Sequence, residues 1–105
     1  MTKKVYIFEA RSLTNNKSLG YVVGDSPEIV IPIVRFETKD VISRVIYLLK
    51  AHESIQIIMK PMIDGSSYVI KGSGYYGFSY HKPSQKFLKS FWNKYSEALT
   101  KLGIT

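Results

Sequence analysis

The sequence predicts an α+β domain: a four- to five-stranded antiparallel or mixed sheet with two amphipathic helices packed on one face. Three observations carry this expectation. Residues 38–52 and 84–102 repeat apolar side chains at helical spacing. The other apolar segments are short, β-branched and aromatic, and turn residues separate them. A chain of 105 residues supports one core, so residues 1–105 read as a single domain. In chain order the elements are β-(β)-β-α-β-β-β-α.

Lys4–Glu9 (KVYIFE) is the first strand. Ser12–Leu19 (SLTNNKSL), rich in Asn and Ser, reads as a mobile loop. Tyr21–Val23 is a short second strand, closed by the turn signal Gly24-Asp25-Ser26-Pro27. Glu28–Phe36 (EIVIPIVRF) is apolar on both faces. Pro32 in its middle cannot donate a ladder hydrogen bond, which places this strand at an edge or on a bulge. Thr38 is the expected N-cap of the first helix, with Asp40 favourably placed in the first turn. Val41, Ile42, Val45, Ile46, Leu48 and Leu49 form its apolar stripe, and it ends near His52.

Ile55–Ile63 (IQIIMKPMI) reads as a strand. Asp64-Gly65 then predicts a two-residue hairpin into Ser67–Lys71, because both residues tolerate positive φ. Gly72-Ser73-Gly74 turns the chain into Tyr75–Tyr80, completing a meander. Alternation puts Tyr76, Phe78 and Tyr80 on one side, expected to be core beneath the last helix. Tyr75, Gly77 and Ser79 face the other side, with Tyr75 expected at the surface. Ser84, just after Pro83, is the expected N-cap of the last helix. Its apolar arc is Phe87, Leu88, Phe91, Trp92, Tyr95, Ala98, Leu99 and Leu102. Gly103 suits the C′ position, with Ile104 following as the residue that touches Leu99.

The net charge is +7, and it is uneven. Residues 1–53 hold eight Lys and Arg against six Asp and Glu, whereas residues 54–105 hold seven against two. A basic half implies an acidic partner, either a protein surface or a nucleic acid. Twelve of the fifteen basic residues are Lys, which weakens the case for reading bases, since bidentate recognition favours Arg. The Lys excess, with twelve Ile and eight Tyr, also fits a gene rich in A and T, of the kind carried by mobile genetic elements. No cysteine is present, so no disulfide framework or thiolate metal site exists, and a cytoplasmic location is expected. No apolar run approaches the roughly 20 residues that cross a bilayer, so no membrane partner is expected. The start, MTKKVYIFEAR, has an apolar run too short for a signal peptide.

The stretch Lys71–Ser84 (KGSGYYGFSYHKPS) sets four aromatics among three glycines and two lysines. Tyr76-Gly77-Phe78 and Val5-Tyr6-Ile7 echo fragments of the RNA-recognition-motif signatures. That fold needs a helix directly after its first strand, where Ser12–Leu19 reads as loop, and the family is not assigned. The only histidines, His52 and His81, have no HxH or HExxH spacing, so no metal or cofactor is expected. The first functional reading is a non-enzymatic protein-binding module of inhibitor or immunity type. It would cover an acidic toxin or enzyme with Lys71, Tyr75, His81, Lys82, Lys86, Lys89 and Trp92. The alternative is nucleic-acid binding through the basic C-terminal half. A further alternative is a small metal-independent ribonuclease using His81 with Tyr80 and nearby lysines.

Overall fold

The computed structural model describes residues 2–24, 37–60, 67–71 and 75–103, with 67–71 and 75–77 described as backbone alone. Five strands form one mixed sheet: β1 (Thr2–Ser12), β2 (Ser18–Gly24), β3 (Ser54–Ile58), β4 (Ser67–Lys71) and β5 (Tyr75–His81). Helix α1 (Thr38–Ala51) lies between β2 and β3 in the chain, and α2 (Gln85–Lys101) follows β5. The expected α+β class is therefore observed. The expected strand at Glu28–Phe36, the turn residues Asp25–Pro27, the Asp64-Gly65 and Gly72–Gly74 turns, and Ile104 lie outside the described residues.

β1 is the central strand. Tyr6 pairs with Gly24 of β2 and with Ile58 of β3, so β2 and β3 lie on opposite edges of β1. Glu9 likewise pairs with Tyr21 of β2 and with His81 of β5. One edge of β1 is thus shared end to end, by parallel β3 along Thr2–Tyr6 and by antiparallel β5 along Glu9–Ser12. β4 pairs only with β5 among the described ladders. Residues 54–58 thus run parallel to β1, and Pro61–Ile63, the end of the expected Ile55–Ile63 strand that would turn into β4, lies outside the described residues. The reason for this pairing is burial. Beside β1, Ile55, Ile57 and Met59 join Val5 and Ile7 in the core beneath the helices.

Ser12–Leu19 also departs from expectation, since its polar side chains close a hairpin between β1 and β2. Ser12 N–H donates to the Lys17 carbonyl and Asn16 N–H to the Ser12 carbonyl, both at 2.9 Å. Ser12 Oγ accepts from Thr14 N–H at 3.2 Å, and Asn15 Oδ1 from Lys17 N–H at 3.0 Å. Asn16 takes the left-handed conformation, with φ 59°, that Asn tolerates well.

The N-cap of α1 is Glu37 and not Thr38, which is the first helical residue. Asp40 decides this. Its Oδ2 accepts from the Glu37 N–H at 3.0 Å, satisfying the amide just outside the helix. α2 follows its sequence signals. Ser84 Oγ caps the Phe87 N–H at 3.3 Å, and Gly103 follows the C-cap Leu102 with φ +75°.

Both helices pack on one face of the sheet. There Val41, Val45, Phe87 and Phe91 meet Val5, Ile7 and Val23. The opposite face has its own buried cluster of Phe8, Ala10, Val22, Phe78 and Tyr80. Phe78 and Tyr80 are thus core, as expected, but they face away from α2 instead of lying beneath it. Strand phase explains the correction. In β5 the helix-facing positions are Ser79 and His81, because they pair with Arg11 and Glu9, which share the phase of Val5 and Ile7.

Phe91 is fully buried between the sheet and α1, beside Phe87 and Tyr95. Phe91→Ala should therefore lower the unfolding free energy by about 3–5 kcal/mol in a urea titration. A loss below about 1 kcal/mol would show that α2 does not seal this core.

Candidate functional site

The helix-facing side of β1 changes character midway. Val5 and Ile7 are fully buried, and the next two positions in the same phase are Glu9 and Arg11. Glu9 is 6% exposed. A carboxylate buried to this degree needs a partner. Arg11 Nε supplies it, donating to Glu9 Oε1 at 2.5 Å from a guanidinium side chain that is 31% exposed.

Neighbouring strands add three more polar side chains to this face. Glu9 stands opposite Tyr21 on β2 and His81 on β5, and Arg11 stands opposite Ser79. Directly opposed residues in an antiparallel ladder have Cβ atoms about 4.5–5.5 Å apart. Ser79 Oγ and His81 Nε2 are hydrogen-bonded at 2.6 Å, which holds the imidazole. The result is a patch three strands wide, containing a carboxylate, a guanidinium, an imidazole, a phenol and a hydroxyl.

The N-terminus of α2 borders this patch. The Tyr21 ring stacks on Phe87 with centroids 3.9 Å apart, and the Tyr21 hydroxyl interacts with both Glu9 and the cap residue Ser84. Burial first, then the Glu9 charge, pushes the Tyr21 hydroxyl above the ordinary tyrosine pKa. Ser84 and Arg11 oppose that shift. A run of polar contacts therefore links the α2 cap, Tyr21, Glu9 and Arg11.

The seven residues expected to bind a partner fall into separate groups. His81 joins the strand patch, half-buried. Lys82, Lys86, Lys89 and Trp92 are exposed after it, along the start and outer side of α2. Lys71 and Tyr75 pair with each other at the other end of the β4–β5 hairpin, six residues or about 20 Å from His81 along β5. Their side chains are outside the described residues. Tyr80, expected to work with His81, is buried on the opposite face. His52, at the exposed end of α1, leads into β3 at the Thr2 end of β1, away from His81. Sequence reasoning missed Glu9, Arg11, Tyr21 and Ser79. The signal was present in β1, where charges take up the phase set by Val5 and Ile7.

Among the described residues no three His, Asp or Glu side chains come together as a metal-ligand set. No described helix is long and apolar enough to cross a membrane.

A tyrosine pKa raised by folding means that the native state holds that proton more tightly than the unfolded chain. Its stabilisation is complete below the ordinary value near 10 and is lost as pH rises through the folded value. Tyr95, raised by burial, acts in the same direction. Chemical-denaturation stability should fall as pH rises above about 10, and Tyr21→Phe should make that decline shallower. An unchanged slope in Tyr21→Phe would show that Tyr21 does not carry it. No family model matches this chain, and comparisons with curated proteins and with solved structures return no match.

Proposed function

We propose that the chain is a protein-binding module of the inhibitor or immunity type, and that it covers an acidic partner with the outer face of α2. The observation that supports this is Trp92. It is 45% exposed, although tryptophan is among the costliest side chains to leave in water. Its ring is braced edge-on against the buried Phe91, with centroids 5.1 Å apart, and tilted against Tyr95 at 5.9 Å. A braced aromatic loses little rotamer freedom on binding, which suits an interface anchor.

The charge of α2 is nearly all of one sign, and Lys89, one turn before Trp92, stands beside it. Lys86, Lys89, Lys94 and Lys101 lie on α2, with Lys82 just before it, and Glu97 is the only acidic residue in the helix. Such a surface speeds encounter with an acidic partner, and the apolar anchor then sets the dissociation rate. In this reading the mechanism is steric: α2 lies over the partner's working surface and excludes its substrate. The protein acts in the cytoplasm, where a cysteine-free chain loses nothing. In this reading its gene travels on a mobile element beside that of its target, which the excess of Lys, Ile and Tyr fits.

The test begins with the product of the adjacent gene, purified and titrated with this protein. Binding should inhibit that product. Trp92→Ala should weaken binding by about 30-fold, near 2 kcal/mol, while melting as the parent does. Added salt should slow association more than it speeds dissociation. If wild type and Trp92→Ala bind alike, or if these lysines bind single strands or duplex DNA at low salt and no protein, the reading fails.

A further inference from the structure

We infer that the partner meets α2 with an amphipathic helix whose polar side is acidic, laid along the line Leu88, Trp92, Tyr95, Leu99 and Leu102. The inference rests on the partner reading above and deepens it, by naming the element the partner presents and the residues that seat it.

The apolar arc of α2 is wider than its core needs. At about 100° per residue, Phe87, Phe91 and Tyr95 span about 80° of the helix, and these three belong to the core. On one side the arc stops at once, because Lys94 and Lys101 come next to Phe87 around the helix and both are exposed. On the other side it continues for about another 60°, through Leu88 and Leu99 to Trp92. Among the described residues Leu88 and Leu99 join neither core cluster. Trp92 is 45% exposed, and Leu102, at the end of the helix, 40%. One flank of α2 thus carries large apolar side chains beyond those packed in the core.

Their spacing selects the occupant. From Leu88 to Leu102 the steps are four, three, four and three residues. That is the interval at which one helix receives another, each side chain entering a gap between side chains of the facing helix. An extended peptide gains its affinity by pairing its backbone with a sheet edge, which a helix does not offer. The line is about 21 Å long, about four turns, and matches an amphipathic partner helix of similar length.

Charge decides what kind of helix. Lys89 borders the line on its outer side, together with the uncharged Gln85, Ser96 and Thr100. Glu97, the one carboxylate of α2, lies on the opposite side of the helix. A second copy of this chain would bring a net charge of +7 against +7. A helix with Glu or Asp flanking its apolar line instead finds Lys89 at the border and is attracted on approach.

The probe is a synthetic peptide of about 20 residues, with Leu at alternating steps of three and four and with Glu and Ala between them. The full chain is titrated with it while the emission of Trp92, its single tryptophan, is followed. Binding should shift that emission to the blue, and the peptide should gain helix by circular dichroism. Leu99→Ser and Leu102→Ser should each weaken binding at least about fivefold with the melting temperature retained. Leu102 is exposed, so its variant decides if Leu99→Ser fails to fold. Asn93→Ala, on the side of α2 away from the line, should bind as the parent does. An absent shift, equal binding of a peptide of the same composition with Leu at every second position, or unchanged affinity in both Leu variants would overturn the inference. So would a dimer of the chain alone that Trp92→Ala disperses, or tighter binding to phosphatidylglycerol vesicles than to the peptide. The partner reading is scored separately, on the product of the adjacent gene. If Trp92→Ala weakens binding to that product while both Leu variants keep it, the partner reading stands and the helix is removed. If the peptide binds as expected and that product does not, the partner reading falls and the helix-binding line stands.

Discussion

The structure depends on the double use of β1, which is paired along both edges and buried on both faces. β2 follows one edge, and β3 and β5 divide the other. Such a strand cannot slip by one residue without exchanging its faces. Its register therefore decides which side chains of three other strands point at the helices. Val5, Ile7, Phe8 and Ala10 are all fully buried, so both faces resist a slip.

The same constraint creates the polar patch. The apolar phase of β1 stops after Ile7, and the hydrophobic core stops with it. Beyond that point the helix-facing positions of β1, β2 and β5 are Glu9, Arg11, Tyr21, Ser79 and His81. A carboxylate so buried is tolerated because Arg11 and Tyr21 satisfy it. Ser84 extends those contacts to the start of α2, tying a helix cap to the end of the core. One short region thus ends the core, anchors a helix and gathers titratable groups.

α2 divides its surface in a different way. Phe87 and Phe91 point into the core, and Tyr95 packs against it. Trp92, one residue on from Phe91, is rotated about 100° around the helix and emerges exposed, on the side of Lys89. The strand patch is an array of hydrogen-bonded and ion-paired groups. The helix face carries one exposed aromatic and a row of exposed lysines. They meet at Lys82 and Ser84, where the chain passes from β5 into α2.

What was legible in the sequence was local. Helical spacing, the Ser84 cap, the Gly103 stop and the β4–β5 hairpin follow from interactions within a few residues, so they could be read before folding. The α+β class followed from the order of such elements. The hairpin at Ser12–Leu19 was missed because its Asn and Ser side chains signal a turn and a loose loop alike. The N-cap moved to Glu37 because the reach of Asp40 outweighed the preference for Thr. Pairing partners were beyond local rules. Only the tertiary structure placed β3 beside β1 and turned Phe78 and Tyr80 away from α2. It also brought His81 opposite Glu9, 72 residues distant in the chain. Long-range pairing is decided by which arrangement buries the most apolar surface, and that sum runs over the whole domain.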